Sequence, residues 1–135
     1  LPAPILDNGS GLSREERSTG QGLTALLHAA SASPHAQVFQ ASLSIAGVDG
    51  TAQRLRERLP GSPLMGQAWL KTGSLRDVAS VAGYVQGQSG QRYSVVGIVN
   101  HPNASQARPA LDALLEWTVR DTNNTANTRA AAKAR

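Results

Sequence analysis

Residues 68–75, Ala68-Trp69-Leu70-Lys71-Thr72-Gly73-Ser74-Leu75, set a cation, a hydroxyl, a glycine and a second hydroxyl in immediate succession. The stretch reads as a β-strand. Side chains two apart on a strand share a face, so the hydroxyls of Thr72 and Ser74 point the same way. Gly73 between them has no side chain, which lets a ligand backbone lie close against the strand. Lys71 offers a positive charge or, with a lowered pKa, a proton relay. Such a strand suits the wall of a site that grips an acyl substrate and its carboxylate. A K-T-G triplet also arises by chance, and a lysine at a strand edge beside a turn is the competing reading. The surrounding chain has to decide.

The chain has 135 residues, 40% of them hydrophobic, which suits one domain with a core of its own. No apolar run approaches the roughly 20 residues of a membrane span. The sequence opens on Leu1-Pro2-Ala3-Pro4, without methionine or a signal-peptide pattern, so it reads as a piece of something longer. Cysteine is absent, which excludes disulfides and thiolate metal sites. His28, His35 and His101 have no ligand spacing, and neither a metal nor a cofactor is expected. The net charge is +4, and three of those charges are Arg129, Lys133 and Arg135 in the tail. The body is therefore close to neutral and has few aromatics to stack on bases, which speaks against nucleic-acid binding.

Outward from the central stretch, Asp7 to Arg14 is turn-rich, with side chains able to bond their own backbone. Ser18 and Gln21 have capping-box spacing, and Leu23, Leu26, Leu27 and Ala30 follow at helical intervals, predicting a helix from about Thr19 to Ser31. Ser33-Pro34 restarts a helix whose apolar face is Val38, Phe39 and Leu43. Gly47-Val48-Asp49-Gly50-Thr51 is a turn, Gln53 to Leu59 a short basic helix, and Pro63 to Gly66 a loop. Val78 to Val85 and Tyr93 to Val99 are rich in β-formers around a Gly87-Gln88-Ser89-Gly90 hairpin turn. The unbroken apolar run Val95 to Val99 predicts a central strand covered on both faces. Pro109 opens a last helix with Leu111, Leu114, Leu115 and Val119 as its stripe, which should lie back over the sheet. The expected class is α+β: helices, a three-stranded antiparallel meander, then a C-terminal helix. Residues 1–121 read as one unit and 122–135 as a basic, disordered tail.

With these elements in order, Lys71-Thr72-Gly73-Ser74 resembles the K-T-G strand that borders the active site in serine penicillin-recognising enzymes. Asp7-Asn8-Gly9-Ser10-Gly11-Leu12-Ser13-Arg14 is similar to the D-G-S-G-L-S-R segment of one group. That group is the D-alanyl-D-alanine carboxypeptidase/endopeptidase family, the class C low-molecular-mass penicillin-binding proteins. Gly47 to Thr51 resembles its G-x-D-G-[ST] turn. Lys71 to Leu75 with Val81-Ala82-Gly83-Tyr84 resembles its K-T-G-S-L…A-G-[YF] run, and Val99-Asn100-His101-Pro102 the end of its next strand. The family also needs S-x-x-K and S-x-N. Ala68 and Ala130 stand three residues before the two lysines, and no serine stands two before an asparagine, so both motifs are missing. The resemblance implies the C-terminal part of a β-lactamase/transpeptidase-like domain.

It further implies a parent that cleaves D-alanyl-D-alanine or cross-link bonds of peptidoglycan peptides through an acyl-enzyme and binds β-lactams, with this piece inactive alone. The Ser74 N–H would be one oxyanion donor. Thr72 and Ser74 would hold the substrate carboxylate, Lys71 supplying charge, and Gly73 would admit the peptide. Whether Lys71 also enters the proton relay stays open. Leu12, Arg14, Leu75 and Arg76 would face the acyl-side pocket, with Arg14 either binding a carboxylate there or held in a structural ion pair. Alternatives are a piece of a class A-like β-lactamase, or a non-catalytic module binding an anionic polymer through the tail. Uncovered sheet edges predict a companion segment or self-association. The family implies a periplasmic or extracytoplasmic location.

Overall fold

Two tight turns organise the second half of the chain. Arg76-Asp77 closes the first hairpin with Asp77 at φ 67°, a left-handed conformation that aspartate tolerates better than most residues. The 87–90 turn closes the second, with Gly90 at φ 85° and its N–H donating to the Gly87 carbonyl (3.0 Å). The computed structural model describes residues 1–122. The tail expected at 122–135 lies outside the described residues from 123 on.

The elements in chain order are α1 (Gly20–Ser31), α2 (Ala36–Ala41), β1 (Ser44–Ile45), α3 (Leu55–Arg58), β2 (Ala68–Leu75), β3 (Val78–Gln86), β4 (Arg92–Asn100) and α4 (Arg108–Val119). Short 3-10 turns at Gly50–Ala52 and Ala104–Ala107 precede α3 and α4. The sheet is antiparallel with order β1-β2-β3-β4, four strands where three are expected from the sequence. β1 is only two residues long and has no periodicity of its own to read; it exists because Ser44 and Ile45 pair with Leu70 and Trp69.

Helices cover both faces of the sheet. On one, the Tyr84 hydroxyl donates to the Leu27 carbonyl of α1 (2.6 Å) and Phe39 of α2 meets the Tyr84 ring edge-on at 6.4 Å. On the other, Gly97 faces α4 so closely that an added Cβ would stand 2.7 Å from Leu111 Cδ2. Leu64, Leu70, Val85, Leu115 and Val119 are fully buried and form the centre of the core on the α4 side.

Three local expectations shift. Thr19, not Ser18, caps α1, its Oγ1 accepting from Gly22 N (2.9 Å). Leu26 turns outward, leaving Leu27 as the buried residue of that helix. Pro34 stands ahead of α2, which begins at Ala36, and Val38 is 73% exposed instead of forming an apolar face. The larger correction concerns Val95 to Val99. The run is flanked by α4 and α1 on its two faces, with Ile98 only half covered, but β4 is the last strand of the sheet, not a central one. An apolar run reports cover on two faces; it does not report hydrogen bonding on two edges.

Candidate active site

β1 ends where the site begins. The Ala46 N–H donates to the Ala68 carbonyl (2.9 Å), so the backbone groups of Ala68 turn toward β1. Backbone direction repeats every two residues, so those of Leu70, Thr72 and Ser74 turn the same way. β1 reaches only to Leu70, and the N–H of Ser74 therefore lies on a stretch of edge that β1 leaves uncovered.

The side chains of Thr72 and Ser74 share the face of Leu70 and Val81, toward α4. There they open into a cavity of about 440 Å³, whose polar end is Thr51, Arg54, Thr72, Ser74 and Arg108. Thr72 Oγ1 donates to Thr51 Oγ1 (2.9 Å), and Arg108 Nη2 donates to Ser74 Oγ (2.9 Å). Thr51 belongs to the Gly47–Thr51 turn, which Asp49 pins by accepting from Ile45 N (2.7 Å) through Oδ1.

Lys71 starts on the opposite face, is exposed, and its ammonium donates to the carbonyl of its neighbour Thr72 (2.5 Å). Gly73 also faces β3 inside the sheet, where an added Cβ would meet Ser80 Oγ and the Ser80 side chain would have to turn away. Arg14 reaches the tip of the β2–β3 hairpin, donating to the Arg76 carbonyl (3.0 Å) and lying 3.8 Å from the Asp77 carboxylate. This is the ion-pair alternative for Arg14, with Asp77 as partner. Arg76 is itself beside Asp77 (3.9 Å), Leu75 is exposed at the end of β2, and Leu12 is 73% exposed. The structure thus gathers Thr72 and Ser74 at the cavity and Arg14, Leu75 and Arg76 near the hairpin tip, and leaves Lys71 on the opposite face of the strand, outside the cavity lining. His101 Nδ1 accepts from Asn103 N (3.0 Å) and its N–H donates to Asp77 O (2.9 Å), securing the turn at the end of β4.

The sequence reading missed Thr51, Arg54 and Arg108 as site residues. Thr51 could have been found in the turn motif already singled out; Arg108 had no signal, because it stands 34 residues beyond Ser74 and reaches it only when α4 folds back. Below the polar end, Arg58 grips Asp112 through two bonds (2.6 and 3.0 Å). Bonding to Asp112 raises the Arg58 pKa further against the opposing effect of burial. No group of three or more His, Cys, Asp or Glu side chains able to hold a metal occurs among the described residues, and no helix there is long and apolar enough to cross a membrane.

Comparison with known proteins gives this geometry its context. A D-alanyl-D-alanine carboxypeptidase of Actinomadura sp. (strain R39) is 36% identical over 108 residues, which is 76% of this chain and 19% of that protein. The D-alanyl-D-alanine carboxypeptidase DacB of Haemophilus influenzae is 32% identical over 96 residues, 71% of this chain and 20% of its own length. The chain therefore spans about a fifth of the length of these curated relatives. The crystal structure of penicillin binding protein 4 (dacB) from H. influenzae, complexed with a β-lactam, superposes with a TM-score of 0.71 at 27% identity, covering 84% of this chain and 27% of that one. Residues 3–120 match the D-Ala-D-Ala carboxypeptidase 3 (S13) profile, a span that takes in the 7–14 segment, the Thr51 turn, the Lys71 strand and α4, and the chain belongs to that family.

Proposed function

We propose that this chain forms the K-T-G wall of the active site of a serine D-alanyl-D-alanine carboxypeptidase/endopeptidase acting on peptidoglycan peptides in the bacterial envelope. The observation that carries the reading is the Ser74 N–H on the uncovered edge of β2, above a cavity into which Thr72 and Ser74 turn their hydroxyls. A peptide laid along that edge presents its scissile carbonyl to the N–H and its terminal carboxylate to the hydroxyls. A serine hydroxyl from a Ser-x-x-Lys segment outside these 135 residues attacks the carbonyl. The amide C–N bond breaks, the departing D-alanine amine takes up the proton, and an acyl-enzyme remains. Water then cleaves the ester and restores the serine. The Ser74 N–H is one of two oxyanion donors, worth about 3–4 kcal/mol in the transition state. A β-lactam acylates the same serine.

In this reading the 135-residue chain alone is inactive. Fluorescent-penicillin labelling read by intact mass tests it: no adduct on the isolated chain, one adduct on the parent polypeptide that carries the Ser-x-x-Lys segment. An adduct on the isolated chain would place the nucleophile here and overturn the division of labour. A correctly folded parent that takes no label would overturn the function.

A further inference from the structure

We infer that Arg108, not Lys71, supplies the positive charge that holds the terminal carboxylate of the substrate; the inference rests on the function proposed above and names a specificity residue for it. The two hydroxyls facing the cavity define where that carboxylate sits, and Arg108 is already there, its guanidinium 2.9 Å from Ser74 Oγ. Lys71 leaves the strand on the opposite face, and its ammonium is engaged by the Thr72 carbonyl.

The charge balance of the cavity points the same way. Arg58 is neutralised by Asp112. Among the described residues, Arg54 and Arg108 have no carboxylate partner, so the polar end carries positive charge beside two hydroxyls and no acid of its own except the paired Asp112. An anion completes that arrangement. A planar guanidinium can keep one N–H on Ser74 Oγ and turn another toward a carboxylate oxygen, a fork that a lysine ammonium lacks. Arg108 is also held in position. Ala104, four residues before it, and Leu111, three after it, are buried, and Pro109 sets the first turn of α4. The free end of the substrate is thus read by the last helix of the fold, through a contact that forms only when α4 lies on Gly97.

The test uses the whole parent enzyme and a matched pair of substrates, an N-acylated D-alanyl-D-alanine peptide and its C-terminal amide. Arg108→Ala should lower kcat/KM for the free acid about 10- to 100-fold, the scale of a lost charged hydrogen bond, and leave the amide unchanged. Arg108→Lys, which keeps the long aliphatic stem and the charge, should recover part of the loss. An equal loss on both substrates in a folded Arg108→Lys variant, or no loss on either, overturns the inference. If the wild-type parent cleaves neither peptide, the proposed function has failed, and binding of N-acetyl-D-alanine against its amide, measured by calorimetry, decides the assignment separately. A preference for the acid that disappears in Arg108→Ala upholds it; a preference that survives the substitution overturns it.

Discussion

Gly83→Ala is the sharpest probe of how the site strand is built. Gly83 stands opposite Leu70 in the β2–β3 register, one residue before Lys71. A Cβ there would run into the Trp69 carbonyl oxygen and come within 3.0 Å of Leu70 Cα and of the Trp69 carbonyl carbon. All three are backbone atoms of the paired strand, so no side chain can swing away to make room. The residue also has φ +155°, where an L side chain is strained. Torsional strain contributes about 1–3 kcal/mol. Overpacking against a rigid neighbour adds about 1–3 kcal/mol. A loss of about 4 kcal/mol follows, and at a urea slope of about 2 kcal/mol per molar the unfolding midpoint falls by ~2 M with the slope unchanged. Tryptophan fluorescence follows the transition. Gly90→Ala is the control: φ is +85° but nothing lies within 4 Å of the added atom, so only torsion acts. Its cost is about 1 kcal/mol, a shift of ~0.5 M. If the two variants shift equally, backbone collision at Gly83 contributes nothing and the reasoning is refuted.

Two further outcomes bear on the support of the cavity. Asp112→Ala removes both bonds to Arg58 and strands a guanidinium whose side chain is 35% exposed. Partial hydration moderates the usual penalty for an orphaned buried charge, leaving about 2 kcal/mol, and Arg58→Ala added on top should cost little more in a double-mutant cycle of urea midpoints. Burial pushes the Glu116 carboxyl up, but bonds from Ser62 and Arg120 outweigh it and bring the pKa below the ordinary value. A lowered carboxylate pKa stabilises the fold above the unfolded-state value and loses that contribution as pH falls through the folded-state value. Between about pH 6 and pH 3 the wild type should therefore lose more stability than Glu116→Gln, the two converging at the acid end; parallel pH profiles would contradict the linkage.

Much of this protein is written locally. β-former content marks β3 and β4, and Gly87-Gln88-Ser89-Gly90 marks the turn between them, because a strand with a helix on each face needs apolar residues on both and a tight turn needs Gly at positive φ. The Leu111–Val119 stripe marks α4 for the same reason. The Lys71-Thr72-Gly73-Ser74 strand was legible as a candidate wall because its chemistry sits within four consecutive residues. What the sequence could not carry depends on pairing between distant segments. A two-residue β1 has too few positions to show a period, yet its end at Leu70 is what leaves the Ser74 N–H on an uncovered edge. Hydrophobicity says which faces are covered and is silent on edges, so β4 looked central and proved terminal. Gly73 reads as room for a ligand, but the neighbour its Cβ would strike is Ser80 of the next strand. Arg108 is an ordinary arginine before a proline until α4 docks on Gly97 and carries it to Ser74, since only the packed helix converts a separation of 34 residues into 2.9 Å.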